Sequence, residues 1–230
     1  MKKKILIIAV AACLLALTIA GTSVAYFTDT DAATNVFTVG EVDIKLTEAK
    51  VTVDSQNWHI VKVNPEERVA STGIDYKNIR TLWPGQSIAK DPRIDNVGSE
   101  NAYVGAVITI TNDNGANGTA NIANSLAQAD VTSFIVGLPQ NAAINVKPIV
   151  ENGVTVGYTV YVLFADAVVA GTGTATVFTG LAIPATWGNT EMKNLENLNV
   201  TVNAYATQTA GFANSTEAMN AAFPGTFVLN

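Results

Sequence analysis

The chain has 230 residues, only 14% of them charged, with 13 basic against 19 acidic side chains and a net charge of −6. An acidic chain of this kind repels nucleic acid and anionic lipid, and its charge content stands well below the roughly 25% of an average soluble domain. Cys13 is the single cysteine and lies in the apolar leader, so no disulfide framework and no thiol nucleophile remain beyond it.

Lys2, Lys3 and Lys4 precede an apolar run from Ile5 to Ala20, which gives way to Gly21, Thr22 and Ser23. A basic start, a short apolar stretch and small residues make a secretory signal peptide. The run is 16 residues long, where a membrane-spanning helix needs about 20. Ser23 and Ala25 are the small residues at alternate positions that signal peptidase requires, and cleavage is expected after Ala25. Two alternatives stand beside this: an uncleaved anchor over residues 5–25, and lipidation at the box Val10-Ala11-Ala12-Cys13, past which Leu14 to Leu17 continue the apolar run. Cleavage removes three lysines and no acid, leaving 205 residues with ten basic and nineteen acidic side chains, a charge of −9, and His59 as the single histidine.

The remainder reads as residues 26–39, an extended arm, and residues 40–230, one domain. The arm begins with Tyr26-Phe27, turns polar through Asn35, and resumes apolar character at Val36, Phe37 and Val39. In the domain, Val42, Ile44 and Leu46 alternate with Asp43, Lys45 and Thr47, the pattern of a half-buried strand. Further strands are expected over Lys50–Val53, Trp58–Val63, Tyr103–Thr111, Thr132–Val136, Ile144–Val150, Val154–Phe164, Thr174–Phe178 and Leu198–Gln208. Asn152-Gly153 supplies the positive φ angles of a tight hairpin, and Pro84-Gly85 suits positions i+1 and i+2 of a type II turn.

A short helix is expected over residues 121–129, where Ile122 and Leu126 lie one turn apart. A second begins at Asn214 with Glu217 three residues on, a capping-box pattern, and Pro224 stops it. Many short strands, two small helices and no βα alternation predict an all-β fold, a jelly-roll-like antiparallel sandwich with the helices as lids. About 200 residues bury enough surface for such a domain to stand without disulfides.

Reactive chemistry is sparse in this pattern. His59 has no histidine partner at metal-ligand spacing, and Ser71, Ser87 and Ser133 lie in no nucleophile-elbow motif. Gly171-Thr172-Gly173 reads as a turn. The carboxylate pairs Asp29/Asp31, Glu66/Glu67 and Asp91/Asp95 are close in sequence, but Asp29 and Asp31 lack the glycine and final glutamate of a helix-loop-helix calcium site. No catalytic residue, metal or cofactor is expected.

The segments Gly21-Thr22-Ser23-Val24-Ala25-Tyr26-Phe27-Thr28-Asp29 and Phe37-Thr38-Val39-Gly40-Glu41-Val42-Asp43-Ile44 resemble the leader of the TasA/camelysin family. Leu82-Trp83-Pro84-Gly85-Gln86 with Lys90-Asp91 and Asn96-Val97-Gly98, and Val202-Asn203-Ala204-Tyr205-Ala206-Thr207-Gln208 leading into Gly211-Phe212, are similar to later parts of it. The resemblance covers both ends and the Pro-Gly segment, and covers residues 112–197 poorly. It implies processing by a SipW-type signal peptidase and a jelly-roll subunit of biofilm-matrix fibres, secreted to the extracellular matrix or cell surface. Its partners would be copies of itself and minor matrix or capping subunits, with membrane contact only through the uncleaved leader.

By the same likeness, assembly would proceed by donor-strand complementation. The arm of one copy would add as a strand to the next, with Tyr26, Phe27, Val36, Phe37 and Val39 as apolar anchors. The alternative for residues 36–39 is the start of the protein's own first strand. Two other functions stay open: a secreted metalloprotease of the camelysin type, for which no histidine cluster is present, and a monomeric adhesin using Trp58 or Trp187 as an aromatic platform.

Overall fold

A computed structural model describes residues 40–53, 60–70, 82–112 and 119–229. The chain divides between Val39 and Gly40, and the fold below is that of the second unit.

Among the described residues this unit has eleven strands: β1 (Ile44–Val53), β2 (Ile60–Ala70), β3 (Ser87–Ala89), β4 (Arg93–Asn96), β5 (Ala102–Asn112), β6 (Ile135–Val136), β7 (Ala142–Glu151), β8 (Val154–Phe164), β9 (Thr174–Thr176), β10 (Gly180–Ala182) and β11 (Leu198–Gln208). All their pairings are antiparallel. One layer carries the order β2-β1-β4-β9 and continues as β3-β10-β6. β3 leads into β4, and β9 into β10, through a kink at Pro92, whose carbonyl accepts a hydrogen bond from Val177 N at 2.8 Å. The other layer is β11-β5-β8-β7.

One apolar core joins the two layers. Ile94, Ala175 and Leu181 come from the first, and Val104, Ile108, Ile110, Val160 and Val162 from the second. β5 is the axis of the second layer. Ala102, Val104, Ala106, Ile108 and Ile110 are each fully buried by their alternate spacing. On its opposite face Gly105 lets the ring of Phe227 lie so close that a Cβ would sit 2.6 Å from it. The expectation of an all-β antiparallel sandwich with few short helices is met.

The hairpin at Asn152 (φ 49°) and Gly153 (φ 80°) forms as the dipeptide predicts. So does the Pro-Gly turn, with Gly85 at φ 80° and Gln86 N donating to Trp83 O at 3.2 Å. β8 and β11 have the predicted ends. Three expectations need correction. Residues 121–129 hold two 3₁₀ turns, Ile122–Asn124 and Gln128–Asp130, instead of one helix. The Asn121 side chain takes Ala123 N at 3.0 Å, which closes the first turn locally before an α-helix can propagate. Thr132–Val136 begins as one helical turn, α1 (Val131–Phe134), and only Ile135–Val136 is strand, because Val131 and Phe134 must both reach the core. The expected strands at Val42–Leu46 and Lys50–Val53 merge into one, β1, which begins at Ile44 and carries register shifts after Ala49 and Thr52.

A short helix, α2 (Asn189–Lys193), precedes β11. The predicted C-terminal helix is α3 (Ser215–Ala222). Asn214 Oδ1 accepts from Glu217 N at 2.9 Å, and Glu217 Oε2 accepts from Ala213 N at 2.9 Å. It lies on the outer face of the second layer, where Met219 packs with Leu163 and Phe227.

Ile108→Ala is expected to lower stability by about 2–5 kcal/mol, since it opens a cavity at the centre of the core. Val154→Ala, on an exposed hairpin end, should stay within about 0.5 kcal/mol. Urea unfolding of both variants checks the contrast.

Candidate functional site

An edge strand has hydrogen-bonded neighbours on one side only, and natural sheets blunt such edges with proline, charge or covering segments. The second layer ends in β7 and β11. β7 is blunted: Pro148 has no N–H to offer, Gln128 Nε2 donates to Val146 O at 2.8 Å, and the strand has a register shift at Ile149/Val150. β11 is not. Its eleven residues, Leu-Asn-Val-Thr-Val-Asn-Ala-Tyr-Ala-Thr-Gln, contain no charge and no proline, and pair with β5 in unbroken register from Leu198↔Asn112 to Gln208↔Ala102. Among the described residues no strand pairs with its other side, so alternate N–H and C=O groups point away from the sheet.

The inward face of β11 is incompletely covered. Leu198, Val200, Val202, Ala204 and Ala206 pack on the core yet stay half-exposed, whereas the neighbouring residues of β5 are sealed. On the outer face Tyr205 is held in place by edge-to-face contacts with Phe223 and Phe227, at centroid distances of 5.2 and 5.5 Å.

In the opposite layer, among the described residues, no strand pairs with Ile44 to Leu46 on the side away from β4. There β2 pairs with β1 from Thr47↔Ala70 to Val53↔Ile60, while β4 pairs with Ile44 to Thr47 on the other side. Asp43 O accepts from Val97 N and Gly98 N at 2.9 and 3.0 Å. By alternation, the backbone groups of Val42, Ile44 and Leu46 face away from β4. The side chains of these three residues pack on the core but remain half-buried. Between the two open edges lies a cleft of about 430 Å³ lined by Gly40 and Val42, by Ala206, Thr207 and Gln208, and by Phe212, Ala221 and Ala222. Gly40, the residue that follows the arm, forms part of its rim.

A polar network holds the end of the described part of β2 against β1 and β4. Arg68 donates to Thr47 Oγ1 (3.0 Å), Thr47 O (3.0 Å), Asp91 Oδ2 (2.9 Å) and Asp91 O (2.8 Å). Asp91 Oδ1 accepts Ala49 N at 2.8 Å, Thr47 Oγ1 donates to Asp95 Oδ2 at 2.7 Å, and Arg93 Nε donates to Asp95 Oδ1 at 2.8 Å. The carboxylates of Asp91 and Asp95 are therefore occupied in joining β2, β1 and β4. Glu67 bonds Lys50 at 2.6 Å, and that hydrogen bond holds its carboxyl below the ordinary range.

The predicted site residues Ser23, Ala25, Tyr26, Phe27, Val36, Phe37 and Val39 lie outside the described residues, as do Asp29, Asp31, Trp58, His59 and Ser71. Ser87 and Ser133 are exposed on separate elements. Trp187 is half-buried and stacks on Phe134 with centroids 6.3 Å apart, so it offers no free platform. Among the described residues no three His, Cys, Asp or Glu side chains come together as a metal site, and no helix is long and apolar enough to cross a membrane. Sequence reasoning found β11 but not its edge position; the absence of charge and proline over eleven residues was the available signal.

Residues 1–65 match the model of a family described as camelysin metallo-endopeptidase. The match bears out the resemblance to the TasA/camelysin family in the leader, the arm and the first strand. No curated protein and no solved structure matches the chain.

Arg68→Ala removes four hydrogen bonds and leaves Asp91 with an uncompensated charge. A loss of about 2–4 kcal/mol is expected, read as a lower urea midpoint with an unchanged m-value.

Proposed function

We propose that this protein is a structural subunit of an extracellular fibre, exported by its leader and assembled by strand addition between copies. The observation that carries the reading is the unblunted edge of β11. A long, uncharged, proline-free edge strand with a half-exposed apolar inner face is a template for another extended segment. The family match over the leader and arm supports export to the cell surface or matrix.

The incoming segment is the arm of another copy, Tyr26 to Val39. It pairs with the free backbone of β11, and its apolar residues cover Leu198, Val200, Val202, Ala204 and Ala206 on one side and Val42, Ile44 and Leu46 on the other. Such addition supplies main-chain hydrogen bonds along the whole strand, each contributing a net ~0.5–1.5 kcal/mol, together with the burial of the groove wall. Cleavage after Ala25 by a SipW-type peptidase has a mechanical role in this scheme, because an arm tethered to the membrane by its leader cannot thread into a neighbour. Minor matrix or capping subunits would fill the one groove or arm left over at each fibre end. The protein acts as an assembly unit, without a reaction of its own.

Negative-stain microscopy of the chain lacking residues 1–25 is expected to reveal filaments, and further deletion of 26–39 to abolish them. Val202→Lys, an inward charge on the edge strand, should suppress filaments while far-ultraviolet circular dichroism stays that of a β protein. Filaments that persist without the arm overturn strand addition. A purified chain that stays monomeric and digests azocasein in a chelator-sensitive way overturns the structural role itself.

A further inference from the structure

The inward face of β1 runs Ile44, Leu46 and then, at the next position of the same parity, Glu48. Its side chain is 0% exposed. Lys90, in the kink between β3 and β4, reaches it with its side chain 10% exposed, and Nζ lies 2.7 Å from Glu48 Oε1. Glutamate and lysine are almost never buried to this degree unless paired. The other ion pairs among the described residues, Lys50–Glu67, Arg68–Asp91 and Arg93–Asp95, all keep at least one partner substantially more open to water. A buried pair of this kind is no more stabilising than apolar residues of the same volume, so its place on the apolar stripe of a core strand asks for another use.

We propose that Glu48 and Lys90 close into an isopeptide bond. Along the existing hydrogen bond a proton passes from Nζ to the carboxylate, leaving a neutral amine facing a carboxylic acid. The amine lone pair adds to Cδ, the N–C bond forms, one Cδ–O bond breaks, and the hydroxyl departs with a proton from nitrogen as water. The condensation needs no oxidant, activated donor or cofactor. Two groups held this close by a fold react with effective molarities that reach about 10⁵–10⁸ M, and burial of the pair hinders the return of water that would reverse the step.

The product is a covalent tie between β1 and the β3–β4 strand, two segments 42 residues apart in sequence. It supplies the cross-link that cysteine cannot, since Cys13 lies in the leader. The bond does not depend on how copies assemble.

Mass spectrometry of the purified, denatured chain tests it. The expected mass is lower than that of the sequence by one water, and a protease digest should contain a branched peptide joining the segments that hold Glu48 and Lys90. In Glu48→Gln the same amide forms with loss of ammonia, so its product should match the mass of the cross-linked wild type, while Lys90→Met should carry its full sequence mass. A folded wild-type chain at full sequence mass, yielding only linear peptides, overturns the proposal whether or not either variant folds.

Discussion

A β-strand with one neighbour leaves half of its backbone donors and acceptors pointing out of the sheet, and this constraint governs the rest of the molecule. The protein meets it differently at its two ends of one layer. At β7 a proline, a glutamine side chain and a register shift disable the edge. At β11 nothing comparable intervenes among the described residues, and in the opposite layer no described strand pairs with Ile44 to Leu46 on the side away from β4. Among the described residues two adjacent edges are thus without a partner, and a cleft touches both. A single open edge could be an accident of packing; the coincidence of both is what gives the site its form.

The polar network around Arg68 is best understood from this edge. A guanidinium making four hydrogen bonds locks β2 onto Thr47 of β1 and onto Asp91 just before β4, which fixes the register of β2 on β1. Charge, otherwise scarce in this chain, is concentrated where it defines register. Glu48 and Lys90 stand apart from that network, inside the sandwich, and tie the same strand to the kinked segment beside it. β1 is therefore held to its neighbours by side-chain contacts at Thr47, Glu48 and Ala49.

Much of the fold was legible from alternation and turn chemistry. Val154–Phe164 and Leu198–Gln208 alternate without interruption between turn residues, and their ends follow. The Asn-Gly hairpin, the Pro-Gly turn and the Asn214 cap are local devices whose atoms lie within a few residues of one another. The misreadings fall where local preference met a tertiary demand. Val131 and Phe134 have strand-like composition but lie one helical turn apart because both must enter the core. The strands β3, β4, β9 and β10 are only three or four residues long and gain their definition from each other. Of the candidate site, residues 26–39 show an apolar-polar-apolar pattern and lie outside the described residues, while the edge position of β11 was written only as an absence of charge and proline, which by itself does not state what lies beside the strand.

The amino-acid order by itself determined the acidic balance, the confinement of the single cysteine to Cys13, the all-β class and the likeness of the first 65 residues to the camelysin family, because each depends on composition or on spacings of a few residues. Only the tertiary structure decided which strand stands at an edge among the described residues, that Arg68 meets Thr47 and Asp91, and that Glu48 meets Lys90 inside the core. These are contacts between segments tens of residues apart, and strand alternation states which face a side chain takes without stating what lies across from it.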